Sequence, residues 1–239
     1  MAILAINVKF MIETFFLSLA GIPVTLKITF ISFFVSLLLG SLLALARVHE
    51  VKVLNQIITA YVSIVRGTPV VLQIMIVYSL FPSLIGSLNE KFNWGIDVWS
   101  IDNIVYAYIV FIFSTTALLT EAVRSALLSV EKVQLEAALS AGLSPFMAYV
   151  RIILPQAYEA ALPNLCNATI SLLKSTSLAF LMSVKELTAI AKTQATYGYD
   201  YVEAYLDIFF IYIILCLAIQ GIYKILEVRA AKHKKLARA

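Results

Sequence analysis

The sequence predicts an all-α membrane protein with about five transmembrane helices. Hydrophobic residues make up 62% of its 239 residues, charged residues make up only 13%, and the mean hydropathy is +0.93. Soluble domains of ordinary composition carry about 25% charged residues, so the apolar excess here must face a bilayer. Long charge-free stretches also alternate with short charged segments, and such stretches can cross about 30 Å of hydrocarbon as helices.

The N-terminal segment is predicted to be an interfacial helix. Its charge-free part, residues 14–26, is interrupted by Gly21 and Pro23. A helix of this length is short for the hydrocarbon core, and a helix lying along the membrane surface fits it better. A sixth span is the alternative.

Five spans are expected after this segment. Arg66 lies inside the second of them and Lys174 inside the fourth. The polar stretch 82–102, which follows the second span, is expected to be an external loop. The predicted spans lie between Lys27 and Arg47 and at about residues 56–81, 102–121, 162–184 and 204–226.

The distribution of lysine and arginine predicts the orientation. Cytoplasmic flanks of membrane helices are enriched in these residues, which places the N-terminus outside and the C-terminus in the cytoplasm. The basic C-terminal tail is then a cytoplasmic flank and not a nucleic-acid site. We expect residues 1–239 to form a single permease domain with a cytoplasmic loop at about 129–157. The richer set of flanks holds Arg47, Lys52, Arg124, Lys132, Arg151 and the tail.

The loop between the third and fourth spans is predicted to form a helical hairpin. Gly142 can adopt the left-handed conformation that ends a helix. Ser144 is a good N-cap, and Pro145 suits the first position of the next helix. We expect that second helix to stop at Pro155, since proline disrupts a helix interior.

This hairpin resembles the EAA signature of importer permeases in the ATP-binding cassette (ABC) family, which reads E-A-A, three residues, G, nine residues, I-x-L-P. Every fixed position matches, although Val133 stands where the family usually has glycine. The resemblance implies a type I fold and a coupling helix that docks on an ATPase subunit. The implied coupling residues are Glu136, Ala137, Ala138, Gly142, Leu143 and Ser144, followed by the matching Ile152, Leu154 and Pro155.

Further motifs resemble the polar amino acid permeases within that family. The R-G-T-P run, the E-x-x-R pair and the P-Q-A…P…N…K-x-T-S-L run all have counterparts here. The position after Lys174 is often acidic in the family, whereas here it is Ser175, so the resemblance favours a neutral or zwitterionic amino acid, such as glutamine or cystine. The matching residues are Arg66–Pro69, Glu121, Arg124, Pro155–Ala157, Pro163, Asn167 and Lys174–Leu178.

Polar groups at membrane depth are the candidate substrate path. Ionisable residues there are costly and usually functional, and Pro69 is expected to unwind the second span so that its backbone lines a cavity. Mutual pairing of the charges and helix–helix bonding by the hydroxyls are the alternatives. The candidates are Arg66, Gly67, Thr68, Pro69, Glu121, Asn167, Lys174, Ser175, Thr176 and Ser177.

The predicted function is therefore the permease subunit of an ABC importer in the bacterial cytoplasmic membrane. The resemblance implies an ATPase dimer, a second permease subunit, identical or related, and an extracytoplasmic substrate-binding protein as partners. No P-loop, zinc-protease or nucleophile-elbow motif occurs. We therefore expect no enzymatic activity, no metal and no cofactor in this chain, with ATP and Mg at the partner ATPase. A secondary transporter driven by an ion gradient is the alternative, although no inverted repeat is visible.

Overall fold

The computed structural model describes residues 6–95 and 97–236, with side chains described up to residue 231. In this part of the chain the regular elements are all helices, joined by short turns, without a strand. A 3-10 turn, Val98–Ser100, precedes α5, a π turn, Tyr149–Ile153, joins α7 to α8, and a 3-10 segment, Thr176–Met182, follows α8. The helices are α1 Val8–Leu19, α2 Ile22–Val48, α3 Lys52–Gly67, α4 Val70–Phe92, α5 Asn103–Leu128, α6 Lys132–Ser140, α7 Pro145–Ala148, α8 Leu154–Ser175, α9 Leu187–Gly198 and α10 Tyr201–Leu236.

Five helical segments within the described residues are long and apolar enough to cross a membrane, which confirms the predicted number. The fourth is the longest, because the second half of the predicted hairpin runs on into it. The five are Ile22–Val48, Val70–Phe92, Asn103–Leu128, Pro145–Met182 and Tyr201–Ala231.

The prediction of a second span at residues 56–81 is wrong. The helix α3 ends at Gly67, and Pro69 has an extended backbone at φ −58° and ψ 135°. Proline has no N–H to continue a helix and forces the residue before it out of the helical region. The second span is α4, which continues through Pro82, so residues 82–92 are helical and not loop.

The predicted stop at Pro155 is also wrong. This proline is the second residue of α8, where a missing N–H is tolerated because few intrahelical bonds are lost there. The preceding π turn closes with the Leu154 N–H donating to the carbonyl of Tyr149. That wider turn lets the helix pass the proline without a break.

The residues group into two compact units. The first comprises the segments up to Phe33, Thr68–Phe113 and Ser171–Leu217. In it, α1 packs against α9. Gly21 lies so close to α9 that a Cβ there would come within 2.4 Å of the Leu187 nitrogen, so only glycine fits.

The second unit comprises Phe34–Gly67, Ser114–Ile170 and the segment from Ala218 onward. Here one face of α3, formed by Ile58, Val62 and Val65, packs against Ala117 of α5. The spacing of these three residues gives α3 a single buried face. α3 is therefore amphipathic, in contrast to the more uniformly apolar spans.

Candidate coupling hairpin and substrate path

The hairpin between α6 and α7 has the backbone geometry that its sequence predicts. Gly142 adopts φ +83°, and its N–H donates to the Leu139 carbonyl at 3.0 Å, while the Leu143 N–H donates to the Ala138 carbonyl at 3.1 Å. Ser144 caps α7, accepting a bond from the Met147 N–H through Oγ at 3.4 Å. These bonds end one helix and start the next within four residues.

The hairpin is anchored on one side and open on the other. A buried cluster of Leu127, Ile153 and Ala157 holds it, with Leu135 of α6 packed against that cluster. On the open side, Phe146 is 74% exposed. An exposed aromatic side chain on a fixed hairpin is compatible with a protein-binding surface.

The coupling residues divide between the two sides of the hairpin. Ala138 is only 4% exposed and packs inward, so its small size serves the fold. Leu143 is half-buried. Four of the six are exposed and available to a partner: Glu136, Ala137, Gly142 and Ser144.

A polar cavity of about 450 Å³ lies at the base of the hairpin. It contains two carboxylates and two carboxamides, so it suits a polar or basic side chain better than an apolar one. Its lining residues are Ser129, Val130, Glu131, Gln134, Gln156, Glu159 and Ala160.

In the first unit, the non-helical residues Thr68–Pro69 lead directly into α4, and α4 packs against the 3-10 segment Thr176–Met182. The Gln73 side chain, 8% exposed, donates through Nε2 to the Thr68 carbonyl at 3.1 Å. This bond gives a hydrogen-bond partner to the Thr68 carbonyl, which lies between the two helices. Gln73 was not among the predicted residues, although a carboxamide one turn after Pro69 in an apolar helix was a usable signal.

The three hydroxyl side chains of the predicted cluster differ in burial and in their hydrogen-bond partners. Thr176 is fully buried and donates to the Leu173 carbonyl at 2.6 Å, with the Tyr212 hydroxyl 3.4 Å away. Ser175 and Ser177 are half-buried and donate to carbonyls one turn back, those of Ser171 and Lys174. Lys174 is exposed. The helix tightens to 3-10 geometry at this cluster, a feature often found at functional hinges.

Four predicted path residues belong to the second unit. Arg66 and Gly67 end α3 and are exposed, and Asn167 is exposed on α8. Glu121 pairs with Arg47 of α2 and with Arg124, whose Nε lies 3.0 Å from Oε2. The partners of Glu121 among the described residues are thus these two arginines and not Arg66 or Lys174. Arg47 is 74 residues away in sequence, which is why the sequence did not reveal this pair.

Glu186 is a buried carboxylate that the sequence analysis missed. It caps α9, accepting from the N–H groups of Thr188 at 2.9 Å and Ala189 at 2.8 Å, and from the Tyr212 hydroxyl at 3.4 Å. Tyr212 thereby links Glu186 to Thr176. Complete burial raises the pKa of Glu186 to about 7 in spite of these bonds. Its only sequence signal was an acidic residue directly before the apolar start of α9.

Comparison with known proteins gives consistent matches along the chain. A family model described as "binding-protein-dependent transport system inner membrane component" matches residues 36–232. The L-cystine transport system permease protein TcyL of Bacillus subtilis is 36% identical over 90% of this chain and 87% of its own. The probable amino-acid ABC transporter permease protein PatM of Vibrio harveyi is 34% identical over 85% and 87%.

Two solved structures share the fold. An amino acid ABC transporter, solved with histidines, aligns with a TM-score of 0.75 and 27% identity, covering 92% of this chain and 96% of that one. The inward-facing MetNI methionine ABC transporter aligns with a TM-score of 0.71 at 20% identity over 90% and 96%.

Proposed function

The chain belongs to the family of binding-protein-dependent transport system inner membrane components, and on that premise we propose its substrate and the residues that act in transport. It is a permease subunit of an ABC importer, a multi-pass protein of the bacterial plasma membrane and not an enzyme. We propose that its substrate is an amino acid or amino-acid derivative of neutral or zwitterionic character, resembling glutamine or cystine.

The observation that carries the substrate class is the similarity to amino-acid permeases over most of the chain, TcyL and PatM among them. The uncharged Ser175 supports a neutral substrate, because a carboxylate there would favour a cationic side chain. Uptake of labelled cystine, glutamine and arginine into proteoliposomes with the complete transporter tests this. Arginine uptake exceeding both of the others would contradict the proposed specificity.

We propose an orientation with the N-terminus outside, the C-terminus in the cytoplasm and α1 along the membrane surface. Three exposed apolar side chains of α1, those of Val8, Ile12 and Phe16, support the last point. In this orientation the hairpin faces the cytoplasm. The chain would work as one permease domain beside a second permease subunit, with a substrate-binding protein outside.

The hairpin would couple ATP hydrolysis to transport. Glu136, Ala137, Gly142 and Ser144 would contact an ATPase of the partner dimer, which holds ATP and Mg, while Ala138 and Leu143 would fix the hairpin on its own core. Closure of the ATPases would move the hairpin and, through the continuous α7–α8 segment, the fourth span. That connection supports alternating access driven from the cytoplasm.

The substrate path would use the non-helical backbone at Thr68–Pro69 and the hydroxyls at the 3-10 segment. Unwound backbone offers N–H and C=O groups to a zwitterion, and α4 packs against the 3-10 segment. The full proposed path is Arg66, Gly67, Thr68, Pro69, Glu121, Asn167, Lys174, Ser175, Thr176 and Ser177.

Purification of the tagged protein from its native membrane in mild detergent tests the assembly. We expect an ATPase subunit in roughly equal amount by mass spectrometry, and a second permease chain would distinguish a heterodimer from a homodimer. A preparation without ATPase, together with uptake that survives ATP depletion, would contradict an ABC importer and favour a carrier driven by an ion gradient.

A further inference from the structure

The turn between α9 and α10 exposes two aromatic rings. We call residues 197–201, the sequence Y-G-Y-D-Y, the tyrosine turn. Tyr197 is 81% exposed and Tyr199 is 83% exposed. Neither ring is buried in the chain's own core, so the fold gains little from their apolar area.

Tyr199 also has an unfavourable backbone conformation. It ends α9 at φ +61° and ψ 21°, in the left-handed region where glycine or asparagine is usual. Gly198 precedes it, and a Cβ at Gly198 would lie 2.3 Å from Oδ2 of Asp200. An exposed aromatic side chain at a left-handed position indicates a functional constraint.

The tyrosine turn is fixed from both sides. Its own backbone closes with the Tyr201 N–H donating to the Tyr199 carbonyl at 2.9 Å. From the start of α1, the Asn7 side chain donates to Asp200 at 3.3 Å and the Asn7 N–H donates to Glu203 at 2.9 Å. The two exposed rings therefore project from a turn held by hydrogen bonds, so little backbone conformational entropy is lost when a partner binds.

The helix that leads into the turn has a polar exposed face. In α9, all of whose residues the structure describes, the aliphatic side chains are buried or half-buried, and Thr193 and Thr196 are exposed. α1 differs, because it exposes Ile12 and Phe16 at 53% and 67%. A turn that follows a helix with a polar exposed face and carries Asp200 resembles a protein-binding loop, where tyrosine supplies rigid amphipathic contact area.

We propose that the tyrosine turn is a docking contact for the soluble substrate-binding protein. This rests on the proposed function, whose orientation places the turn outside. One span lies between the turn and the cytoplasmic hairpin along the chain. Tyr197 and Tyr199 stack on the partner's surface and donate hydrogen bonds from their hydroxyls. Asp200 and the ring faces favour a partner patch that carries guanidinium or amide groups.

The test uses the complete transporter in nanodiscs with its purified substrate-binding protein, titrated against ATPase activity. The variant is Tyr197→Ala with Tyr199→Gly, because glycine relieves the left-handed backbone while removing the ring. We expect the binding-protein concentration for half-maximal stimulation to rise at least tenfold. The maximal rate and the thermal stability should be retained. Tyr205→Ala, which removes a 51% exposed tyrosine from within the fifth span, is the matched control and should leave the titration unchanged.

An unchanged half-maximal concentration in the double variant would overturn the proposal, and so would an equal shift in the control. A photo-reactive residue at position 199 in cells provides a second readout. A cross-link to this binding protein supports docking, whereas cross-links only to lipid or to the second permease would contradict it. If wild-type ATPase activity did not respond to the binding protein at all, the proposed function itself would fail.

Discussion

Glu186 shows how burial changes the chemistry of a single side chain. Its pKa of about 7 lies above the ordinary value of 4.5, so folding favours the protonated form. The stability that this residue contributes is therefore fully present below pH 4.5 and is lost as the pH rises through 7. We expect the detergent-solubilised protein to lose on the order of 2 kcal/mol of stability between pH 5 and pH 8 from this group.

Melting temperatures of wild type and Glu186→Gln, measured from pH 5 to pH 8, check this expectation. Glutamine is neutral throughout and keeps one acceptor for the α9 cap, so its melting curve should be much flatter across the range. Glu13→Gln, which changes an exposed carboxylate of α1, is the control. Equal pH dependence in wild type and Glu186→Gln would show that burial does not perturb this group.

The ion pairs of Glu121 are the second residue-scale feature with a measurable consequence. The Arg47 side chain is 13% exposed and that of Glu121 is 22% exposed, so removing the carboxylate leaves a poorly solvated cation. We expect Glu121→Gln to cost about 2 kcal/mol, or roughly 5 °C in melting temperature. Lys224–Glu227 is a solvated pair with a 76% exposed lysine, and Glu227→Gln should change the melting temperature little. Equal changes in melting temperature for the two variants would show that the Glu121 ion pairs do not stabilise the fold.

Local residue patterns were predictable and long-range partners were not. The left-handed Gly142 and the Ser144 cap follow from rules that span four residues, and both are present. The Arg47–Glu121 and Glu186–Tyr212 contacts join different helices. Nothing in a single sequence specifies which polar residues two packed helices bring together.

Among the elements, the hairpin carries the most direct prediction. Glu136→Ala with Gly142→Val should abolish uptake but leave membrane insertion intact. Valine is strongly disfavoured at the φ of +83° found here, and the alanine removes an exposed carboxylate from the proposed ATPase contact. Uptake and the amount of co-purified ATPase are the measurements.

The matched control for the hairpin variant is Glu90→Ala with Gly86→Val in α4. Gly86 lies within a helix and has nothing within 4 Å of an added Cβ, and Glu90 is exposed. This variant should transport normally. Normal uptake by the hairpin variant would exclude a coupling role for Glu136 and Gly142.

The 3-10 segment carries a separate prediction about substrate. Ser177→Leu should raise the substrate concentration required for half-maximal uptake by about tenfold, because it replaces a proposed hydroxyl contact with a branched apolar group. Ser87→Leu is the control, since the Ser87 hydroxyl makes the same type of bond to the carbonyl one turn back but lies in α4. A concentration dependence shared by wild type and Ser177→Leu would place Ser177 outside the path.

Element boundaries were less predictable than elements. Charge-free runs located the spans, but a run cannot show where helical hydrogen bonding stops. Pro69 separates two helices, whereas Pro82 and Pro155 lie inside helices. The difference is contextual, because Pro69 follows glycine and threonine at the end of an amphipathic helix, and Pro155 follows a π turn that accommodates it.

For the molecule as a whole, the number of spans was correct although the second was misplaced. The predicted second span joined the end of α3 to the start of α4, both of which contain apolar residues. α3 is only 16 residues long and is not among the helical segments long and apolar enough to cross a membrane.

The proposed orientation of the molecule rests on the distribution of lysine and arginine and can be measured directly. Arg47, Lys52 and Arg124 flank the ends of α2, α3 and α5 that we assign to the cytoplasm. With Cys166 and Cys216 replaced by alanine, single cysteines at exposed Glu90 and Ser140 lie one span apart.

We expect a membrane-impermeant maleimide to label Glu90→Cys in intact right-side-out vesicles and Ser140→Cys only after permeabilisation. Position 90 lies near the C-terminal end of α4, which the proposed orientation places outside. Position 140 ends α6 in the hairpin that we propose as the contact for a cytoplasmic ATPase. Retained uptake in both variants is the control for correct insertion. The reverse labelling pattern would place the hairpin outside, and no cytoplasmic ATPase could then drive transport through it.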